Sequence, residues 1–461
     1  MTSSADKEPV SPERLSLGES YRMLARLGLP VLVTQLGAIL VGFVDTFMMS
    51  NYSTAQYAAA AYVNNLFVVP IVMQMGFAGG LTPLVGALFG RGDHRLVGRM
   101  MRLGMRLNVW LGLIVTAVMA VLYLFLGDMG QDPAIMPYVR SYYLTVLASI
   151  VFGSVFFCAQ QMSNGVNDTA TPMWVILGGN LLNVVGNYML IYGKWGAPEL
   201  GVLGAGLSTL NARIIISVVM VALVAYSRRY RRFRCTPADR FADPKAEKRR
   251  LLSTSWPVMI QSGVECFLWA FGAVVSGWFG STQLAAYQLM VTLNQLGFMT
   301  YMSAATAVAV RVSNYAGCDD TDSMRITAKA GLHINLILGT LASVIFLALG
   351  DLIIDLLTPD AAVRSYAYLL ILPLVLYQYC DAVQMTYGNA LRGTSNVKPL
   401  LWTAVISYLV VGVPVLLFLA VTLNMGSLGV YYCFSIALFI AAILYRRYFL
   451  RTLSRLTAAH L

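Results

Sequence analysis

Three carboxylates lie deep inside long apolar stretches of this chain: Asp45, Glu265 and Asp381. The rest of its 21 Asp and Glu residues fall in termini, in loops or at the ends of apolar stretches. A charged side chain at the centre of a bilayer costs about 3 kcal/mol even on the mildest scale. A carboxylate kept at such a position is therefore expected to bind an ion, carry a proton or balance the charge of a substrate.

Amide side chains accompany the first of these acids. Asn180, Asn183 and Asn187 recur at spacings of three and four residues, so they share one face of a helix. Together with Asp45, and with a hydroxyl group from Thr209, they offer the oxygen ligands that a hard cation such as sodium prefers. Hydrogen bonding between helices is the alternative use of the same amides.

The second half of the chain carries the other two acids. Tyr377 lies one helical turn before Asp381, where its ring could favour a bound cation or simply fill the core. A polar and aromatic span between the two acids supplies further candidates for a cavity: Gln288, Asn294, Gln295, Phe298 and Tyr301. Arg213 is the one basic residue at a comparable depth. It either neutralises an acid such as Asp45 or reaches a wet cavity, and the sequence leaves both open.

The elements that must position these groups are membrane-spanning helices. The chain is 58% hydrophobic and 11% charged, whereas soluble domains carry about 25% charged residues. Apolar runs of about 20 residues recur, long enough to cross a bilayer as helices that satisfy their own backbone groups. We predict an all-α integral membrane protein with twelve spans at 27–50, 58–88, 104–127, 138–163, 173–192, 201–226, 253–279, 284–311, 328–350, 363–391, 399–422 and 427–445.

The spans divide into two similar halves of six. An offset of about 227 residues brings Pro30 onto Pro257 and Gly90 onto Gly317. We therefore predict two pseudo-symmetric six-helix bundles, related by an axis along the membrane normal, with a substrate path between them. The predicted units are an N-terminal segment (1–26), a first bundle (27–226), a basic linker (227–252), a second bundle (253–445) and a basic tail (446–461).

Basic residues predict the orientation. Most of the 32 Lys and Arg residues fall on the side that holds both termini, and the opposite side holds Arg140, Lys194 and Arg364. The positive-inside rule then places both termini in the cytoplasm. The net charge of +11 is interpreted as this topology signal and as contact with anionic lipid headgroups, with no nucleic-acid partner. The six Cys and three His residues are too dispersed for a disulfide framework or a zinc site.

Short segments around the acids resemble one family of transporters, the multidrug and toxic compound extrusion (MATE) family, and within it the NorM-like branch. The resemblance covers the chain from about residue 20. It is carried by Val44-Asp45-Thr46-Phe47, Thr82-Pro83, Asn183-Val184-Val185-Gly186-Asn187-Tyr188, Gln261-Ser262-Gly263-Val264-Glu265, Tyr377-Gln378-Tyr379-Cys380-Asp381 and Leu391-Arg392-Gly393. Two departures are Tyr287, where the family often has His, and Arg213.

The resemblance implies cation-coupled antiport that exports organic cations and amphipathic drugs by alternating access. Glu265, Asp381 and Tyr377 would form a cation site in the second bundle, and Asp45, Asn183, Asn187 and Thr209 a cation or substrate site in the first. Na⁺ is the favoured coupling ion, held by Glu265 and Asp381 or by Asp45, and H⁺ is the alternative.

The remaining expectations concern class and location. A lipid-linked sugar flippase of the same architecture is the alternative function; it would need basic residues lining the cavity. No Ser-His or HExxH pattern suggests an enzyme, and no cofactor is expected. We expect a monomer in a bacterial inner membrane that contributes to antibiotic resistance.

Overall fold

The computed structural model describes residues 15–234, 241 and 243–459, and long α-helices dominate this part of the chain. The first half contains α1 (Leu17–Tyr52), α2 (Thr54–Gly79), α3 (Leu81–Gly90), α4 (His94–Leu124), α5 (Met136–Gly165), α6 (Ala170–Tyr192) and α7 (Val202–Tyr226). The second half contains α8 (Pro244–Trp278), α9 (Ser281–Gly317), α10 (Thr321–Leu357), α11 (Ala361–Gly393), α12 (Lys398–Ala404), α13 (Val413–Leu417) and α14 (Ser427–Ala459). The predicted all-α class is confirmed.

Two of the predicted spans are not single regular helices. The second span breaks at Gly80, between α2 and α3, in the segment where the sequence places Gly79, Gly80 and Pro83. In the eleventh span a π-helical segment, Val405–Gly412, joins α12 to α13, and a second one, Phe418–Thr422, follows α13. Such turns leave the regular α-helical hydrogen-bond ladder, and they often occur at functional positions.

Within the described residues, eleven helical stretches are long and apolar enough to cross a membrane. The remaining long helix is α9, with 37 residues. Its Gln288, Asn294 and Gln295 make it more polar than its neighbours, in agreement with the polar span that the sequence predicts. With α9, the described part of the chain has twelve helical stretches long enough to cross a membrane, as the sequence predicts.

Several helices extend beyond the predicted spans. Asp243 caps α8 by accepting hydrogen bonds from the N–H groups of Lys245 and Ala246, and α14 continues to Ala459. The predicted linker and tail therefore contain helix, because hydropathy marks only the part of a helix that crosses hydrocarbon. The predicted N-terminal segment up to residue 14, the middle of the linker (235–240 and 242) and residues 460–461 lie outside the described residues.

The two halves repeat each other in geometry. Gln56 Oε1 accepts the N–H of Val202 at 2.7 Å, and Gln283 Oε1 accepts that of Ser427 at 2.9 Å. In each case the preceding residue is a glycine with φ of +56° (Gly201 and Gly426), a conformation that a side chain would strain. Repeated contacts of this kind support the internal repeat that the sequence offset predicts.

The halves meet at the side of the membrane where α1 begins and α14 ends, here called the terminal side. A Cβ on Gly90 would overlap the carbonyl oxygen of Asn314, and one on Gly317 would overlap that of Ala87. Arg91 Nε donates to the carbonyl of Gly317 at 3.1 Å. We call these contacts between α3 and α9 the terminal seam.

Candidate cation and substrate sites

The first-half site forms where α1 meets α6. Asn187 Nδ2 donates to Asp45 Oδ1 at 2.5 Å. With the Asn183 amide turned so that its nitrogen faces Asp45, it donates to the same oxygen at 3.1 Å, and its own oxygen accepts the Thr209 N–H at 3.3 Å. The fold therefore brings together four residues that the sequence selects, from three separate helices.

Some polar atoms of this site have no partner. Asn187 is 1% exposed, and its Oδ1 accepts no hydrogen bond from the described residues. Asn180 Nδ2 is also buried without a partner. The free amide oxygen of Asn187, beside the half-buried Asp45 carboxylate, fits the oxygen donors that a hard cation needs.

Arg213 binds a hydroxyl group. Its guanidinium donates to Ser149 Oγ at 2.7 Å, from α7 to α5. Ion pairs within the described residues include Arg229 with Asp168, Arg250 with Glu247 and Arg364 with Asp355, and Arg213 forms none with Asp45. Of the two alternatives that the sequence leaves open for Arg213, a standing pair with Asp45 is thus not formed. Ser149 has no signal in the sequence that would mark it as the partner.

The second-half site centres on Asp381 in α11. Asp381 is 0% exposed, and neither of its carboxylate oxygens accepts a hydrogen bond of normal geometry from the described residues, although the Tyr377 hydroxyl is close enough to act on it. Glu265, from α8, is near enough for its charge to act on Asp381, and the guanidinium of Arg392 acts in turn on Glu265. Burying an ionised carboxylate without hydrogen bonds or a counter-charge is strongly unfavourable. This pair of acids fits a bound proton or cation.

Aromatic and amide groups surround Asp381. Tyr377 is buried and packs edge-on against Trp269, with ring centroids 5.5 Å apart. Gln378 accepts from Tyr301 Oη at 2.7 Å and donates to Asn294 Oδ1 at 3.2 Å. This network fixes α9 against α11.

The predicted cavity residues of α9 divide into two groups. Asn294 and Tyr301 are buried in the network with Gln378, and Phe298 packs beside Tyr301. Gln288 and Gln295 are exposed and lie on another face of the same helix. Because exposed amides on a spanning helix are poorly suited to lipid, we expect these two side chains to face water.

Sequence reasoning missed several polar neighbours of the second-half site. Gln384 Nε2 donates to Tyr408 Oη at 3.0 Å, and Gln378 joins the network described above. Their spacing of three residues on either side of Asp381 was a usable signal. Arg392, expected in a loop, lies in the last turn of α11. A Cβ on Gly79 of the first half would lie 3.6 Å from its guanidinium.

A cation at either site would need more than carboxylates. Among the described residues no three His, Cys, Asp or Glu side chains lie close enough together to hold a metal ion. Amide, hydroxyl or carbonyl oxygens would have to complete the coordination, as sodium allows.

Comparisons with known proteins agree with this architecture. The MatE family model matches residues 30–189 and 257–418, one stretch in each half. "Probable multidrug resistance protein NorM" of Xanthomonas axonopodis pv. citri is 32% identical over 443 residues, 95% of each chain. The NorM protein of Xylella fastidiosa strain Temecula1 is 30% identical over 431 residues, 93% of this chain and 91% of its own.

Solved structures share the fold at lower identity. The eukaryotic MATE transporter AtDTX14 superposes with a TM-score of 0.86 at 13% identity, over 96% of this chain and all of its own. A multidrug resistance MATE family transporter in an outward-facing conformation gives 0.83 at 18% identity, over 95% and 97%. The predicted two-bundle fold is confirmed.

Proposed function

Because this chain belongs to the MatE family, we propose that it exports drugs by exchanging them for a small cation. Its NorM relatives are named as multidrug resistance proteins, which supports drugs as the exported class. The chain is a multi-pass membrane protein. Its bacterial relatives and basic terminal side favour a bacterial inner membrane, with both termini in the cytoplasm.

One observation carries the proposed cation coupling: Asp381 is fully buried and forms no ion pair within the described residues, with the hydroxyl of Tyr377 close to its carboxylate. With Glu265 nearby, two negative charges would repel each other in a medium that screens them poorly. A cation or proton relieves this repulsion, and so does a positively charged drug. Competition between the two for the same acids would couple their movements.

The packing of the halves supports alternating access. The terminal seam closes the space between the bundles at the terminal side, whereas the exposed Gln288 and Gln295 lie towards the other side. Opening the seam would expose the acids to the cytoplasm, where a drug binds. Closing it would expose them to the outside, where a cation displaces the drug.

Ion gradients are sufficient for this exchange. One charge crossing a potential of 100 mV gains about 2.3 kcal/mol, and a tenfold concentration gradient adds about 1.4 kcal/mol. Together they support a drug gradient of roughly several hundredfold for the exchange of one cation against one neutral drug. We favour Na⁺ as the coupling ion because both sites offer amide or hydroxyl oxygens beside carboxylates.

Transport by purified protein in liposomes tests the proposal. A fluorescent cationic dye is loaded, and Na⁺ and H⁺ gradients are imposed one at a time. We expect the dye to move against its own concentration gradient when a Na⁺ gradient of opposite direction is imposed. If only an H⁺ gradient drives the dye, the antiport proposal holds and H⁺ is the coupling ion. Dye movement that is insensitive to both gradients would contradict the proposal.

The alternative flippase function receives less support. It requires basic groups that face the cavity, and the guanidinium of Arg213 is engaged by Ser149.

A further inference from the structure

The loop between α5 and α6 carries a buried acid, Asp168, which holds neighbouring segments together at the terminal side of the first half. Asp168 accepts hydrogen bonds from Thr171 Oγ1 at 2.7 Å and from Tyr230 Oη at 2.8 Å, and it pairs with Arg229 Nε at 3.0 Å. Ser163 also bonds to the Tyr230 hydroxyl. Burial, followed by the nearby Asp168 carboxylate, raises the pKa of Tyr230, which keeps the phenol protonated as a donor.

The corresponding loop of the second half lacks that acid. Asn167 and Ser395 adopt φ values of +63° and +61°, each two residues beyond the end of its helix, α5 or α11. The next residue is Asp168 in the first half and Asn396 in the second. Asn396 donates to Thr452 Oγ1 of α14 at 3.1 Å. This contact ties the loop to α14 but brings no negative charge.

Three basic side chains near Asn396 have no acidic partner among the described residues. Lys398, Arg451 and Arg455 line a cavity of about 380 Å³ between α12 and the terminal end of α14. All three are exposed, and none forms an ion pair with any residue in the described part of the chain. Three like charges around one cavity favour an anion there.

The wall of the same cavity is apolar on its membrane side. Trp402 and Tyr448 line it, and exposed apolar side chains continue along the eleventh span from Trp402 through Ile406 to Val410. Trp and Tyr are typical of the membrane–water interface. A ligand that fits both parts has an anionic head and hydrocarbon tails.

We propose that this cavity binds the phosphate headgroup of an anionic phospholipid from the terminal-side leaflet. The headgroup lies between Lys398 of α12 and the arginines of α14, and an acyl chain follows the surface of Trp402 and Ile406. In the first half the buried Asp168 pairs with Arg229, whereas Lys398, Arg451 and Arg455 form no such pair within the described residues. A bound lipid would supply the missing negative charge and hold the end of α14 against α12.

Native mass spectrometry of the full chain in a neutral detergent tests this site. Phosphatidylglycerol, phosphatidylcholine and inorganic phosphate are titrated separately. One basic residue near a membrane surface contributes about fivefold to the binding of anionic lipid. We therefore expect Arg451→Gln to weaken phosphatidylglycerol binding about fivefold, and Lys398→Gln to do the same from the opposite wall.

Arg446→Gln is the matched control, because Arg446 is exposed on the same helix but does not line the cavity. It should leave binding within about twofold of the unmodified chain. Equal losses from Arg446→Gln and Arg451→Gln would overturn the proposal, as would phosphatidylcholine binding as tightly as phosphatidylglycerol. Displacement of the lipid by millimolar inorganic phosphate would also overturn it, because the site would then recognise free phosphate. The readout is binding alone, so failure here leaves the proposed antiport untouched.

Discussion

The two acid sites differ in the burial of their carboxylates and in the hydrogen bonds that these carboxylates receive. Asp45 in the first half is half-buried and receives amide donors from Asn187 and Asn183. Asp381 in the second half is fully buried, receives no amide donor from the described residues, and has Glu265 and the Tyr377 hydroxyl close by. A repeated fold has thus produced one acid that amides hydrogen-bond directly and one that is buried beside a second acid.

This difference suggests that the acid sites of the two halves have different roles in transport. A carboxylate that already has hydrogen bonds can remain charged through a transport cycle and attract a cationic drug. The Asp381 carboxylate, with Glu265 nearby, gains or loses a neighbouring positive charge whenever a cation or a cationic drug enters or leaves. We therefore propose that cation and drug compete at the second-half acids, and that Asp45 adds affinity for the drug.

The largest effect is expected from Asp381→Asn. The amide carries no charge, so it neither repels Glu265 nor attracts a cation. Cation binding at this site should therefore be lost. Ion-driven dye transport in liposomes should fall to the level of empty liposomes, while the protein keeps its elution volume in size-exclusion chromatography. Asp351→Asn, an exposed acid in α10, is the control and should transport normally. Unchanged transport by Asp381→Asn would refute the assignment of coupling to this site.

Asp45→Asn should separate drug recognition from ion binding. The change removes a charge but leaves an oxygen that can accept from Asn187. We expect the apparent drug affinity to fall about tenfold, which corresponds to about 1.4 kcal/mol. Because Trp269 contacts Tyr377, we expect its fluorescence to change when a cation binds, and this change should persist in Asp45→Asn. Trp269→Phe identifies this signal, and its loss in Asp45→Asn would mean that the two sites are not independent.

Asn187→Ala should destabilise the first half by about 1–3 kcal/mol, because it removes the shortest hydrogen bond to a partly buried carboxylate. Thermal unfolding in detergent measures the loss. Asn180→Ala provides a matched comparison on the same helix, since its Nδ2 has no partner to lose. If Asn180→Ala lowers the unfolding temperature as much as Asn187→Ala, the bond to Asp45 contributes little.

The smallest effect is expected from Asp168→Asn, which makes the first-half loop resemble Asn396 of the second half. Arg229 is mostly exposed, so the lost ion pair itself contributes little. The weaker bonds from Tyr230 and Thr171 should cost about 1 kcal/mol. Proteolysis within residues 227–234, which contain Tyr230, should accelerate. An unchanged cleavage rate would show that the segment is held by its apolar contacts.

Much of the architecture could be predicted because it depends on local composition. Each apolar run becomes a helix whatever its neighbours are, since the bilayer leaves no other way to satisfy the backbone. The same reasoning located Asp45, Glu265 and Asp381. The spacing of Asn183 and Asn187 even placed both amides on the face that reaches Asp45.

Contacts between helices could not be predicted in this way. The partner of Arg213 depends on how α7 is rotated against α5, and a single sequence does not contain that rotation. Asp168 looked like an ordinary loop acid, yet Tyr230 from beyond α7 buries it. The burial of Asp381 beside Glu265 depends likewise on the register of α8 against α11.

Cation release on drug binding tests the central claim most directly. A cationic drug is added to the purified protein in weakly buffered solution, and an indicator dye and a sodium electrode record the ions that are set free. The account predicts release of about one H⁺ or Na⁺ for each drug molecule bound, as expected when both compete for one charge, and no release from Asp381→Asn. Drug binding without release, or equal release from Asp381→Asn, would contradict it.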